Sequence, residues 1–325
     1  MKISIKVIFH LLLMALIAFS ACNNEDEIDE GSDNIDESVG TVVDVDPELF
    51  LDGTTVTIVD CTLSDGTSTT CYQIVASTPT DHEMGPWCPD NITDGDEAGG
   101  IWLEGGEVYD VDGAFIENMA TFYNDDTWLM YDSNGDIYVT DTYNDCVNAA
   151  NPNVGDEYKN YCVECIPDYI EDLIRTWLIP TTPVKLTSYT SFAGMGPGQA
   201  GASIRGIAFN GVEFSASAPV DNILSAYTLA PFDDAGGHIN VHQGYHYHAA
   251  TGVSTKVTQE DGHAAMIGYA SDGHGIYEQL NEDGSEPEDL DACRGHFDDT
   301  RGYHYHVDAP GSNNFINCLY GAYTN

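Results

Sequence analysis

The segment 295–306 reads GHFDDTRGYHYH, and the segment 237–248 reads GHINVHQGYHYH. Both follow one pattern, Gly-His, five variable residues and then Gly-Tyr-His-Tyr-His, at an offset of 58 residues. Nine of the chain's 11 histidines lie between His238 and His306. Two copies with the same internal spacing indicate a duplicated unit rather than a chance histidine string.

The duplication extends upstream of the histidines. Residues 206–211 (GIAFNG) resemble residues 268–273 (GYASDG) at an offset of 62. Asn-Gly and Asp-Gly between alternating apolar residues predict β-hairpins. Each unit is then a hairpin, a variable connection, an acidic lead-in at 233–234 or 289–291, and the histidine motif. We expect the units to pack about a pseudo-twofold axis with equivalent faces buried against each other, in a mostly antiparallel β domain over 188–325.

The Tyr-His-Tyr-His sequence has a simple consequence if it forms a strand. Side chains alternate between the two faces, so the histidines share one face and the tyrosines share the other. The Gly-His element can supply a third imidazole to each pair, and three histidines are a ligand set of catalytic zinc that also suits copper. We therefore predict that metal cations, copper or zinc, bind through His238, His246, His248, His296, His304 and His306.

Metal-bound histidines need a partner for the second ring nitrogen. The nearby acids that could serve are Asp233, Asp234, Asp291, Asp298 and Asp308. His242, His263 and His274 have no counterpart in the other unit and are expected to be accessory or structural. Because neutral imidazole is the form that binds metal, we expect release as the pH falls through about 6.

The N-terminus predicts export. A basic start, an apolar run and two small residues lead up to Cys22, the order typical of a bacterial lipoprotein signal peptide over 1–21. The alternative is an ordinary cleaved signal whose cysteine pairs elsewhere. The acidic residues 22–41 are predicted to form a disordered tether. We expect an outer-membrane lipoprotein that is anchored by lipid and faces the cell surface or the periplasm.

The charge balance limits the partners. The chain has 54 acidic residues against nine Lys and Arg, a net charge of −45. Such a surface repels nucleic acid phosphates, so nucleic acid is not expected as a partner, and no protein partner is indicated. The same charge concentrates cations, which suits either metal binding or solubility in salt.

Residues 42–187 form a β-rich region that contains most of the cysteines. Without Cys22 the chain has eight cysteines, an even number that indicates disulfides in an exported protein. Cys61 and Cys71 flank Gly66 symmetrically and predict a hairpin closed by a disulfide. The Cys-x-x-Cys sequence at 162–165 is interpreted as part of the disulfide set rather than as a zinc or redox motif.

Two further elements are predicted in this region. Asn134-Gly135 between alternating runs predicts a hairpin turn; the acids around it lack the spacing of a calcium loop. Apolar residues at the helical spacing i, i+3, i+4 and i+7 predict one short amphipathic helix over 170–177, between two prolines.

Together these segments resemble the YHYH family, named for the motif at 245–248 and 303–306, over about residues 201–321. The resemblance implies an exported protein and no established reaction. The family commonly has a cysteine where this chain has Ala235. The resemblance implies a disulfide between Cys293 and Cys318 that closes the C-terminal unit.

Three functions fit these observations. The first is a surface or periplasmic lipoprotein that binds a transition metal for capture, storage or display. The second is a metal-dependent enzyme, of the hydrolase or copper oxidase type. The third is a structural or adhesive module without catalysis. No nucleophile elbow or His-Glu-x-x-His sequence is present, so no catalytic residue is assigned.

Overall fold

The computed structural model describes residues 40–76, 78–150, 153–192 and 201–324. The predicted signal peptide, Cys22 and all but the last two residues of the predicted tether lie outside the described residues. In the described part of the chain, every helix is too short or too polar to cross a membrane.

The fold is mostly β, as predicted. Three helices lie within the described residues: α1 (Gly113–Phe122), α2 (Tyr143–Ala149) and α3 (Val220–Ser225). Short 3-10 helices span Pro47–Leu49, Asp96–Ala98, Asp156–Tyr158, Pro167–Tyr169 and Pro310–Ser312. The strands of the described residues are β1 (Thr55–Thr62), β2 (Ser68–Ala76), β3 (Ile101–Glu104), β4 (Glu107–Asp110), β5 (Tyr161–Cys162), β6 (Arg175–Pro180), β7 (Lys185–Ser191), β8 (Gly206–Ala208), β9 (Glu213–Phe214), β10 (Thr228–Leu229), β11 (Gly237–Asn240), β12 (Gly244–Tyr247), β13 (Met266–Ala270), β14 (Gly275–Tyr277), β15 (Gly295–Asp298), β16 (Gly302–His306) and β17 (Cys318–Gly321).

The duplicated units form one eight-stranded sheet with the order β11-β12-β9-β8-β13-β14-β16-β15. The order is symmetric about the β8–β13 pair, because each half contributes a hairpin next to a Gly-His and a Tyr-His-Tyr-His strand. At the centre, Ile207 pairs with Tyr269, the residue 62 positions later. The predicted pseudo-twofold duplication is therefore present.

The two units meet differently from the expectation. They join edge to edge through β8 and β13, which pair antiparallel, and not by burying equivalent faces against each other. Within each unit the histidine strand runs parallel to its neighbour, β12 beside β9 and β16 beside β14. The sheet is thus mixed, with most pairs antiparallel.

Strands from the N-terminal region complete the fold. β1, β2 and β6 form an antiparallel sheet. β7, which crosses the predicted boundary between residues 187 and 188, pairs with the C-terminal β17. The largest hydrophobic core contains residues of both regions, among them Trp102, Phe232 and Tyr305.

The disulfide predictions are confirmed. Cys61 bonds to Cys71 across the β1–β2 hairpin, and Cys293 bonds to Cys318. Both cysteines of the Cys-x-x-Cys sequence belong to the disulfide set, in the pairs Cys88–Cys162 and Cys146–Cys165.

The turn at Asn134-Gly135 is also confirmed. The backbone amide of Asp132 donates to the carbonyl of Asp136 at 2.9 Å, and Gly135 has a φ of +90°, a conformation that favours glycine. The flanking runs pair only through an isolated bridge between Tyr131 and Ile137.

The predicted helix over 170–177 is wrong. Residues 175–180 form β6, in which Trp177 pairs with Ile74, a buried residue of the central strand β2. Ile174, assigned to the apolar face of the helix, is 67% exposed. Four apolar residues at helical spacing were outweighed by the hydrogen bonds and burial available beside β2.

The helices α1 and α2 were not predicted, although Asp112 and Thr142 cap their N-termini with side-chain hydrogen bonds.

Candidate metal centres

Strand pairing places the histidines of each motif opposite one another. In the first unit His238 pairs with His246, and in the second unit His296 pairs with His304. A glycine with positive φ begins each Tyr-His-Tyr-His strand, Gly244 at +83° and Gly302 at +64°, and ends the turn that leads back from the Gly-His strand. The two motifs are therefore antiparallel hairpins whose histidines lie on one face.

The first cluster consists of His238, His246 and His248. The ligand atoms of these three residues lie within 4.8 Å of one another. The Nε2 atoms of His238 and His248 are 3.2 Å apart, and His246 and His248 are buried. The Nδ1 atom of His248 has no hydrogen-bond partner among the described residues.

The second cluster contains the three predicted histidines and one more. The Nε2 atom of His304 lies 3.0 Å from that of His263 and 3.0 Å from that of His296. His306 completes the set, and its buried Nε2 has no hydrogen-bond partner in the described part of the chain. The four ligand atoms lie within 4.8 Å of one another.

Hydrogen bonds fix the tautomers of the second cluster. Each Nδ1 lies next to an oxygen acceptor: Ala264 O for His263 (3.0 Å), Asp289 Oδ1 for His296 (2.8 Å), Gly302 O for His304 (3.0 Å) and Glu278 O for His306 (2.9 Å). A neutral imidazole has one proton, so a ring that donates from Nδ1 presents a lone pair at Nε2. Four lone pairs then point toward one another without a donor between them. A cation at that point would satisfy all four.

A proton on one of these histidines does not readily take the place of that cation. Burial lowers the pKa of His304 and of His306 to about 3, and the neighbouring imidazoles act in the same direction. Burial likewise lowers the pKa of His263. In the first cluster, burial lowers the pKa of His246 to about 4 and holds that of His248 well below its usual range. These five rings are therefore neutral at pH 7, the form that binds metal.

The structure brings the six predicted histidines together as two separate sets of three. His263 was assigned an accessory role, but it belongs to the second set. Its Gly-His dipeptide repeats the start of both motifs, yet Gly273-His274 does so too, so this signal did not distinguish the two. His274 instead packs against Tyr303 and Tyr320 on the opposite face of the sheet, and His242 is exposed.

The acids proposed as histidine partners hold other groups. Asp298 and Asp308 pair with Arg301 and Arg294, and Asp234 is exposed. Asp233 and Asp291 bond to tyrosines on the opposite face of the sheet. Both units contain this hydrogen-bond network, at residues that are 58 or 62 positions apart. Its hydrogen bonds join Tyr245 to Asp233 (2.8 Å), Tyr303 to Asp291 (2.7 Å), Tyr247 to Asn210 (2.8 Å) and Tyr305 to Asp272 (2.7 Å). Backbone carbonyls instead orient His246, His263, His304 and His306, and Asp289 orients His296.

The surroundings of the two clusters differ. All three histidines of the first cluster line a partly enclosed, mainly apolar cavity of about 390 Å³. Beside the second cluster lies an open, polar depression that includes Asp261, Glu282 and Arg301. The first cluster thus has space for a ligand beside it, and the second faces solvent and charged side chains.

Comparison with known proteins identifies the central part of the chain. No curated protein and no solved structure matches the chain. The family model described as YHYH protein matches residues 176–289, a range that includes the first histidine motif and both hairpins and ends six residues before the second motif. The resemblance seen in the sequence is confirmed: the chain contains a YHYH domain.

Proposed function

We propose that the protein binds two transition metal ions, copper or zinc, one at each histidine cluster. The observation that carries this proposal is the second cluster, where four Nδ1 atoms donate outward and four Nε2 lone pairs converge. Imidazole nitrogen suits both zinc and copper, and four nitrogens are a complete tetrahedral set. The net charge of −45 favours the approach of cations.

Metal analysis tests this function. Protein without a histidine tag, incubated with zinc or copper and then desalted, should contain about two ions per chain. A variant with alanine at the six predicted ligands should contain none above background; these are His238, His246, His248, His296, His304 and His306. Circular dichroism of the variant tells lost ligands from a lost fold. A wild-type chain that retains no metal would overturn the proposal.

Substitution of one cluster at a time tests the assignment of ions to sites. The double variants His246→Gln/His248→Gln and His304→Gln/His306→Gln change equivalent positions of the two motifs and serve as matched controls. His246 lies in β12 and His248 directly follows it, whereas His304 and His306 both lie in β16. Each double variant should retain one ion, since glutamine fills the buried space without an imidazole. Loss of both ions from either folded double variant would indicate a single shared site.

We further propose that the chain is an exported lipoprotein anchored through Cys22. The order of the N-terminal residues supports this, and so does the pairing of the other eight cysteines in disulfides, which persist in oxidising compartments. Cys22→Ser should abolish labelling by a radioactive fatty acid and move the protein out of the membrane fraction. Unchanged labelling would contradict the anchor.

A further inference from the structure

The two histidine clusters differ by one histidine, and comparison of the duplicated units shows where the difference arises. Subtracting the hairpin offset from His263 gives 263 − 62 = 201, and residue 201 is glycine. The next residues of the two units, Ala202 and Ala264, are each 1% exposed, which supports this alignment. The first unit therefore has no imidazole at the position that supplies the fourth ligand of the second cluster.

A cavity lies beside the cluster that lacks the fourth ligand. Its volume of about 390 Å³ is within the usual range of small-molecule sites, roughly 300–1,000 Å³. The rings of the three histidines form part of its wall, so a molecule inside it contacts the groups that hold the metal. Its apolar wall includes Trp87, Val154, Val163, Ala218, Ile223 and Ile239.

The polar groups of the cavity limit the kind of ligand. Apart from the histidines, Glu164 is the single ionisable side chain among the described lining residues, which include neither lysine nor arginine. An anionic group away from the metal would find no partner there. Asn240 and Gln243 also line the cavity and are uncharged. Gln243 Nε2 donates to Glu213 and Ser215, and Asn240 Oδ1 accepts from the backbone amides of His242 and Gln243.

We propose that the metal held by His238, His246 and His248 has an open coordination position, and that a small uncharged organic molecule with an apolar body and one nitrogen or oxygen donor occupies it. The four-histidine cluster is closed to such ligands because its own fourth imidazole fills the position. Three protein ligands with an open position are typical of catalytic zinc, and a complete set is typical of structural zinc. This inference rests on the proposed metal binding.

Cobalt(II) and 4-phenylimidazole provide the test. The full-length protein loaded with two cobalt ions is titrated with 4-phenylimidazole and, separately, with imidazole, and the visible absorption of the metal is followed. The absorption bands of one of the two cobalt ions should change, because one site is open. The phenyl compound should bind about tenfold or more tightly than imidazole, since its ring is buried against the apolar wall.

Three variants locate the response. His238→Ala should keep one cobalt ion in the four-histidine cluster and lose the response to the ligand. Ser217→Phe, which fills the cavity from its wall, should keep both cobalt ions and weaken 4-phenylimidazole about tenfold or more. Ser68→Phe introduces the same side chain at an exposed position of β2 and should leave both properties unchanged.

The outcomes separate this inference from the function on which it rests. Two bound cobalt ions without a spectral response, or a response that survives in both His238→Ala and Ser217→Phe, would overturn the open site and leave metal binding intact. A chain that binds no cobalt would overturn both. A response confined to half of the cobalt, and lost in His238→Ala, would support the proposal.

Discussion

At the scale of single residues, His263 decides the character of the second cluster. Its Nε2 lies 3.0 Å from that of His304, and its Nδ1 donates to Ala264 O. His263→Ala should therefore weaken metal binding at this cluster by at least about tenfold, a loss of about 1.4 kcal/mol or more. Competition with a chromophoric chelator measures the affinity of the two ions separately.

A matched control exists in the same region. His242 is exposed and belongs to neither cluster of the described residues, so His242→Ala should leave both affinities unchanged. Equal affinities for wild type and His263→Ala would show that the ring of His263 does not bind the metal.

Spacing within the motifs was enough to predict six of the seven histidines that form the two clusters. In a hairpin, two residues at positions i and i+2 of one strand lie on the same face as a residue opposite them on the partner strand. His263 could not be found in this way. It lies 33 residues before His296, outside the duplicated motif, and only the β13–β14–β16 pairing brings its loop to the cluster. The acids were misassigned for a related reason: nearness in sequence did not show which face each carboxylate reaches.

At the scale of elements, the histidine strands have a second buried face on which tyrosines bond to acids or amides. In β16 the hydroxyl of Tyr305 donates to Asp272 at 2.7 Å and accepts from the backbone amide of Tyr320 at 2.7 Å. Tyr305→Phe leaves that amide without a partner in a buried place, so we expect a loss of about 1–3 kcal/mol in the free energy of unfolding.

The measurement is denaturant unfolding of the metal-free protein, with Tyr138→Phe, at a 38% exposed position, as the control. The number of bound metal ions should stay the same in Tyr305→Phe because the hydroxyl is on the face opposite the histidines. A stability within 0.5 kcal/mol of the control, an effect ordinary for surface substitutions, would contradict the structural role of this network.

The hairpins at 206–211 and 268–273 were predictable because Asn-Gly and Asp-Gly specify a local turn that needs no distant partner. The edge-to-edge union of β8 with β13 and the strand nature of residues 175–180 were not. Both depend on which edge is free in the folded chain, and the register of Trp177 opposite Ile74 is set by a strand about 100 residues away.

At the scale of the whole molecule, burial of the histidines governs the response to pH. The sequence led us to expect metal release near pH 6, the region where exposed histidines are protonated. Burial lowers the pKa of His246 to about 4 and the pKa values of His304 and His306 to about 3. Protons compete for these nitrogens only below those values, so we now expect both ions to be retained at pH 5 and released below about pH 4.

Equilibrium dialysis across this range, followed by metal analysis, checks the shift. Loss of half of the metal at pH 6 would show that the histidines are protonated at ordinary pH values and that the clusters are more open to water than the structure indicates.

The same shifts predict how the stability of the metal-free protein depends on pH. Four clustered histidines have a lower pKa in the folded chain than the 6.5 of an exposed histidine, namely His246, His248, His304 and His306. Between pH 6.5 and about 4 the unfolded chain therefore binds more protons at these residues. Stability rises with pH wherever the unfolded state binds more protons, so it must fall as the pH is lowered through this window.

The double variant His304→Gln/His306→Gln removes two such groups. It should reduce the slope of the free energy of unfolding against pH by up to about 2.7 kcal/mol per pH unit. Denaturant unfolding at several pH values between 7 and 4.5 measures how steeply the free energy of unfolding depends on pH in the variant and in the wild type. Identical slopes would mean that these two rings are protonated in the folded protein as readily as in the unfolded chain.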